Sequence, residues 1–430
     1  MEQEQNENEK QIQNQEDDQN YESESENFIK GLFCGILLVL ICAAGTLFYT
    51  RWKIAKIQSG TTAGVTSEKL DLDLSKVKRK TGEIEALINA YYLDEIDAQQ
   101  IEDTLYTGMV AGLDDPYSVY YTQEQLESME EATSGEYSGI GATLSQDPDT
   151  KEISVVSCFE GTPAEEAGLL PGDVITGWNG NPVSDMELSE LVSKIKTDPD
   201  EHLTLSIERD GEELEVELTR RAVEVPTVEY EMLGDQIGYI RLLEFDEVTA
   251  QQFEEAMSDL ESQGMEKLII DVRNNPGGVL QTVCDMLDQF LPEGLIVYTE
   301  DKNGKRTEYT SDEEHQFTKP LTVLVNGNSA SASEIFAGAI QDYGIGTIVG
   351  TTTFGKGIVQ KIFYLSDGTG LKLTMAKYYT PKGHDIHKKG IQPDVEVELD
   401  EDLQNQSSIS HEEDNQLKRA IRVLQEQDQE

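Results

Sequence analysis

Cysteine is scarce in this chain of 430 residues, four in all, and two of them, Cys34 and Cys42, lie inside one apolar run. Cys158 and Cys284 alone remain, so neither a disulfide framework nor a zinc spacing is available. Positive charge is short as well: 33 Lys and Arg stand against 84 Asp and Glu, a formal charge of −51. Attraction to phosphates or anionic lipid is disfavoured at that charge, which argues against a nucleic-acid partner. Histidine is limited to His202, His315, His384, His387 and His411, with no G-x-S-x-G elbow and no HExxH helix around them. What is present is a 37% hydrophobic content, more than a chain disordered throughout would carry at such a charge. At about 150 residues per domain, the length predicts two or three folded units.

Long uncharged runs are also rare, and the one that exists is informative. Residues 1–30 form an acidic leader of Glu, Asp, Gln, Asn and Ser that reads as a disordered tail. Residues 31–50 (GLFCGILLVLICAAGTLFYT) carry no charge. At about 1.5 Å per residue a helix there spans about 30 Å, so the run predicts a retained transmembrane helix rather than a cleaved signal. Lys30 precedes it and Arg51, Lys53 and Lys56 follow, a bias that by the positive-inside rule favours the large C-terminal part inside the cell.

Three compositional zones follow. Residues 66–134 are rich in helix formers, with Ile84, Leu87, Ile88 and Tyr91 and then Ile101, Leu105, Met109 and Val110 predicting amphipathic helices, broken at Gly-Leu-Asp-Asp-Pro-Tyr-Ser (112–118). Residues 135–221 turn to short β-rich runs, 153–156, 174–178, 203–207 and 214–218, separated by Pro171-Gly172-Asp173, Asn179-Gly180 and Asp210-Gly211 and interrupted by a helix at 186–195. Residues 222–400 alternate strands (237–241, 267–272, 321–325, 347–349, 371–376) with helices (250–261, 280–290, 333–341), the mark of an α/β domain. The acidic segment 401–430 closes with a short amphipathic helix at 416–425.

Three strand-following segments could carry chemistry. In 325–336 (VNGNSASASEIF) small side chains meet the free N–H groups of a helix start, where nucleophiles are often placed; Ser331 and Glu334 also form S-x-x-E, a helix-capping box. Gly350-Thr-Thr-Thr-Phe-Gly-Lys-Gly357 approaches a phosphate-binding P-loop, and Leu268-Ile-Ile-Asp271 imitates its metal-holding strand. Gly357, however, stands where the metal-binding hydroxyl belongs. A magnesium-dependent nucleotide hydrolase is therefore an alternative. In Asp271-Val-Arg-Asn-Asn-Pro-Gly-Gly278, Gly277 and Gly278 offer backbone N–H groups to an oxyanion or simply make a turn. His384 and His387 read as solvated loop residues.

Taken together, DVRNNPGG (271–278), VNGNSASASEIFAGAIQDYG (325–344) and TFGKGIVQ (353–360), preceded by GLDDPYS (112–118) and YSGIGA (137–142), resemble the C-terminal processing peptidases, or tail-specific serine proteases, across residues 70–425. The resemblance implies Ser331 as nucleophile, Lys356 as base and Gln360, placed one helical turn beyond, as the residue holding the lysine. It implies the N–H groups of Gly277 and Ala332 as oxyanion donors, and no metal, nucleotide or other cofactor. It also implies a multidomain α+β fold: helical N-terminal region, PDZ-like β domain and ClpP/crotonase-like α/β core. A lysine base needs its pKa lowered from about 10.4 to about 7 or 8, which desolvation among Phe354, Ile358 and Val359 would supply.

The β-rich zone is similar to a PDZ domain. Its carboxylate-receiving loop would be Ser138, Gly139, Ile140, Gly141 and Ala142, and a protein C-terminus would bind as an added strand. Relatives carry an Arg-Gly turn where this chain has Lys194-Ile-Lys196, and commonly Arg where it has His384. The implied activity is a membrane-anchored endopeptidase with its catalytic domain outside the cytoplasm, against the flanking-charge count, and with a possible homodimer through the N-terminal helices. A catalytically inactive PDZ scaffold is the other alternative.

Overall fold

The computed structural model describes residues 70–197, 202–312, 314, 316–404, 406 and 409–427. The expected tail (1–30) and transmembrane helix (31–50) lie outside the described residues, and no helix among those described is long and apolar enough to cross a membrane. The chain divides into two units at Tyr91. In the first, helix α1 (Leu74–Tyr91) leaves Leu74, Ile84, Leu87 and Tyr91 exposed.

The second unit opens with α2 (Ala98–Ala111), whose first turn is capped by the Asp97 carboxylate accepting the Gln100 N–H at 3.0 Å. The 112–118 segment breaks the helix as expected. Strand β1 (Val119–Tyr121) and helix α3 (Gln123–Ser134) follow, α3 starting in a Thr122/Gln125 capping box and stopping at Gly135 with φ 72°.

The β module comprises β2 (Glu136–Gly139), β3 (Ala142–Gln146), β4 (Ile153–Cys158), the single turn α4 (Pro163–Glu166), β5 (Val174–Trp178), β6 (Asn181–Pro182), α5 (Leu188–Thr197), β7 (His202–Arg209), β8 (Glu212–Thr219) and β9 (Arg221–Glu224). Its sheet runs β3-β4-β5-β7-β8, with β6 on β5, so β3 is an open edge. Period-two burial in β7 sends Leu203, Leu205 and Ile207 inward against Leu191 and Ile195, four residues apart on α5. Entry and exit are tied together: β2 pairs with β9, and the Val225 N–H bonds the Gly135 carbonyl at 2.7 Å.

The remainder contains β10 (Val228–Leu233), β11 (Ile237–Leu242), α6 (Thr249–Ser262), β12 (Lys267–Asp271), α7 (Leu280–Asp288), β13 (Gly294–Asp301), β14 (Arg306–Ser311), β15 (Leu321–Val325), α8 (Ala332–Tyr343), β16 (Thr347–Gly350), β17 (Ile358–Tyr364), β18 (Gly370–Tyr379), β19 (Val395–Glu396) and α9 (Asn415–Gln427). One sheet, β10-β11-β12-β15-β16-β19, is parallel except for β10. Buried on both faces, its β15 reads as a continuous apolar run apart from Thr322. Helix α8 is buried from Ala332 to Ile340, and Phe336 meets Phe245 and Phe290 edge on or tilted. Each such ring contributes about 1.5–3 kcal/mol by leaving water. The second sheet, β1-β18-β13-β14 with β17 on β18, is antiparallel.

Two expectations fail here for one reason. The segment after the Gly350–Gly357 loop is the strand β17, not a helix. A P-loop needs a helix N-terminus behind its phosphates, so the nucleotide-hydrolase reading falls. Gln360 likewise sits on a strand, not one helical turn beyond Lys356.

Candidate active site

The parallel strands β12, β15 and β16 deliver three loops to one end of their sheet, and a cleft of about 500 Å³ opens beside them. Gly277, Gly278, Ser331, Ala332, Lys356, Gln360 and Tyr378 all line it, together with Met129, Ala132 and Thr133 of α3. The structure therefore brings together all five residues expected of a catalytic centre.

Ser331 stands at the N-cap of α8 with φ 55° and ψ −112°, a left-handed backbone that costs a non-glycine residue energy and is stored mainly at functional positions. What holds it there is Glu334. This fully buried carboxylate accepts the Ser331 N–H (3.0 Å), the Gly355 N–H (2.7 Å), the Lys356 N–H (2.8 Å) and the Thr353 hydroxyl (2.6 Å). The S-x-x-E pattern thus does more than cap a helix, because one glutamate clamps the serine loop to the lysine loop. The Tyr378 hydroxyl makes a second clamp, meeting the Ser331 carbonyl at 3.0 Å and the Lys356 carbonyl.

The Lys356 ammonium is half-buried, 5.0 Å from the centre of the Tyr117 ring, and has no hydrogen bond or ion pair among the described residues. Burial first, and then the like charge of Lys372, push its pKa below the usual lysine value against the opposing pull of Glu334. The Gln360 side chain donates to the Ile358 carbonyl at 3.4 Å and not to the lysine.

The Gly277 and Ser331 loops are in tight contact. A Cβ on Gly277, which has φ 102°, would come within 2.7 Å of Ser331 Cβ and 2.9 Å of the Ala332 nitrogen. Only glycine fits. The Gly277 N–H, however, is engaged by Asn275 Oδ1 at 2.8 Å, whereas the N–H groups of Gly278 and Ala332 have no acceptor among the described residues. Behind the turn, the buried Arg273–Asp271 pair is completed by Asp414 at 2.8 Å and Gln416 at 3.0 Å, both from the C-terminal segment. His384 is exposed and faces Asp342 at 3.2 Å, and His387 is not among the cleft residues.

On the β module, Ser138 and Gly139 pair with β9, Ile140 enters the core, and Ala142 opens the free edge β3. The Ile140 carbonyl accepts the Ala164 N–H at 2.8 Å, and the Gly141 carbonyl accepts the Phe159 N–H at 2.9 Å. Gly141 (φ 77°) leaves no room for a side chain, since Thr162 would lie within 2.3 Å of its Cβ. In the Lys194-Ile-Lys196 segment, Lys196 reaches Glu131 of α3 at 2.5 Å and lies over the Tyr137 ring; residues 198–201 lie outside the described residues.

An α/β core presenting a strained serine and a half-buried lysine in one cleft, joined to a β module with a free sheet edge, defines a modular serine hydrolase acting on polypeptides. Family models and sequence relatives agree. Residues 236–397 match Peptidase family S41, residues 138–219 the PDZ domain, and residues 39–125 the N-terminal domain of the activating protease CtpB. The chain is 40% identical over 296 residues to a carboxyl-terminal-processing protease of Synechocystis sp., covering 67% of this chain and 69% of that protein. It is 35% identical over 376 residues to a probable CtpA-like serine protease of Staphylococcus aureus, covering 86% and 72%. The solved photosystem II D1 C-terminal processing protease aligns with 30% identity and a TM-score of 0.45, over 76% of this chain and 87% of that one. The chain belongs to peptidase family S41, the carboxyl-terminal-processing serine proteases, and its substrate is a protein or peptide.

Proposed function

We propose that Ser331 and Lys356 form a Ser–Lys dyad that cleaves proteins captured by their C-terminal ends on the PDZ domain. The observation that carries this is the strained Ser331 facing the same cleft as a lysine whose cationic form is destabilised by burial. Neutral Lys356 takes the Ser331 hydroxyl proton as the serine oxygen bonds to the scissile carbonyl carbon. The resulting oxyanion rests on the Ala332 N–H and on the Gly277 N–H once the carbonyl oxygen displaces Asn275 Oδ1. Collapse breaks the C–N bond, and the leaving amine takes from Lys356 the proton that came from Ser331. Water then attacks the acyl-enzyme with the same lysine as base, freeing a carboxylic acid and the serine. Gln360, the third residue of β17, steadies the start of the strand that follows the lysine loop and not the ammonium itself.

In this reading the substrate C-terminus adds to the β3 edge with its carboxylate in the 138–142 loop. Residues 31–50 anchor the chain as a single-pass helix with the catalytic domain outside the cytoplasm, as long domains translocate regardless of a few flanking charges. The exposed apolar residues of α1, and Ile101, Leu105 and Met109 of α2, support a homodimer through the N-terminal helices.

The test is cleavage of an unstructured protein with an apolar C-terminus by the full chain in detergent, beside Ser331→Ala and Lys356→Ala. Loss of cleavage in both variants is expected, and equal activity in all three would sink the dyad. Protease treatment of intact cells reads orientation, since resistance before lysis and cutting after it would reverse the assignment.

A further inference from the structure

One wall of the cleft carries two acids that the dyad does not use. Glu244 and Asp246 flank Phe245, which is fully buried and held to the oxyanion turn by its own backbone: its N–H donates to the Gly277 carbonyl at 3.0 Å, and its carbonyl accepts the Val279 N–H at 2.6 Å. That bridged, strand-like geometry sends residues i and i+2 to the same side. With Phe245 in the core, both acids face the cleft, and both line it.

Asp246 is only 7% exposed, yet no hydrogen bond or ion pair reaches its carboxylate among the described residues. Buried carboxylates are ordinarily paired or hydrogen-bonded. Burial first, and then the Glu244 charge, raise its pKa to about 6, so at neutral pH it is an anion lacking a partner. The neighbouring elements supply none: α3 contributes Met129, Ala132 and Thr133, and the oxyanion turn contributes Pro276, Gly277, Gly278, Val279 and Leu280. The cleft's two cations, Lys356 and Lys372, pair with neither acid.

We propose that Glu244 and Asp246 form a cation-accepting subsite, which takes a lysine or arginine side chain of the substrate lying in the Ser331 cleft. The inference rests on the reading that the substrate is cut there. A guanidinium or ammonium entering this wall supplies the missing partner to Asp246 and relieves its repulsion with Glu244. The remainder of the cleft, Leu280, Ile335, Ile358 and Ile362, takes apolar neighbours. Because Asp246 is two residues from Glu244 and bonded through Phe245 to the oxyanion turn, the preference falls at one fixed position relative to the cut.

The test uses the full-length chain. An unstructured protein is digested at pH 7.5 and pH 5 by the wild type, Asp246→Asn and Asp246→Glu, with cleavage sites mapped by mass spectrometry. Lys and Arg are expected to be enriched about fivefold or more at a single position at pH 7.5, less at pH 5, not in Asp246→Asn, and again in Asp246→Glu. Enrichment at no position, or enrichment surviving in Asp246→Asn, overturns the proposal. A binding arm separates it from the chemistry: full-length Ser331→Ala is titrated with peptides of identical C-terminus in which one internal residue, walked along the chain, is arginine or norleucine. Tighter binding of arginine at some position supports the subsite, and equal affinity at every position overturns it, whether or not the wild type cuts. Cutting that persists in Ser331→Ala bears on the dyad alone.

Discussion

Two buried carboxylates serve the site, Asp246 in the wall of the cleft and Glu334 bonded to the serine and lysine loops, and they are treated in opposite ways. Glu334 is sealed from solvent and accepts from three backbone N–H groups and one hydroxyl. Asp246, 7% exposed, accepts from none among the described residues. A carboxylate whose lone pairs are all spent inside the protein is structural, and it fixes the geometry of everything it touches. One left with its charge unmatched at the edge of a cavity destabilises the fold until something arrives. The difference between the two carboxylates is the difference between a clamp and a receptor.

The largest effect expected from breaking this contrast comes from Glu334→Ala. It orphans four donors in a dry environment, at about 1–3 kcal/mol each, and should lower the melting temperature sharply while abolishing cleavage. A melting temperature within a degree or two of wild type would show that Glu334 is no clamp. Lys356→Met should instead cost about 10²-fold or more in kcat/KM with stability unchanged or improved, because a half-buried cation with no anion partner is being removed. A large loss of stability would contradict that.

The pH profile sharpens the comparison further. The lysine must be neutral to act, so kcat/KM should rise with pH through a Lys356 pKa that lies below the usual lysine range. Lys372→Ala removes the like charge that helps to depress it and should move that limb to higher pH. An unmoved limb would show that Lys372 does not act on the base.

Asp246 gives a smaller effect with a definite sign. Its folded pKa is raised, so folding favours the protonated form and stability falls as pH rises from about 4 to about 6. Asp246→Asn should therefore raise the melting temperature by about 2 °C or more at pH 7.5 and change it little at pH 4, read by thermal unfolding at the two values. The smallest effect is expected from Lys196→Ala. Its ion pair with Glu131 is about one-third exposed, worth about 0–1 kcal/mol, and should move stability barely at all.

Much of this architecture was legible in the sequence. The strands 174–178 and 321–325 fall where their apolar runs place them, and the helix expected at 250–261 is Thr249–Ser262. Local period and turn chemistry sufficed there. The β13–β14 hairpin escaped because Leu295-Ile-Val-Tyr is a continuous apolar stretch with no alternation, although Asn303-Gly304 marked its turn. Gln360 was misplaced because the four-residue spacing from Lys356 suits a helix, whereas pairing of β17 with β18 decides the matter from across the sheet. The site was legible as a set of motifs, since 271–278, 325–336 and 350–357 each follow a strand of one parallel sheet. Its wiring was not. Nothing local indicates that Asn275 and not Asn274 caps the Gly277 N–H, that Tyr378 joins the two loops, or that Asp246 is unpaired in a chain of 84 acids. Those facts depend on which side chains are brought together in three dimensions.

The pairing of β1 with β18 sets Val119 opposite Lys372, with the whole PDZ domain and most of the core between them in the chain. Ser118 continues the seam, its hydroxyl accepting the Thr374 N–H at 3.2 Å. Contacts of such long sequence separation form late, because the entropy of closing the loop must be met before they reward it. The cleft has residues from both sides of that seam, Met129 and Thr133 from before the PDZ domain and Lys372 and Tyr378 from after it. A protease assembled this way has no competent cleft while it is being synthesised: the nascent chain is shielded from its own activity by the order in which its strands become available.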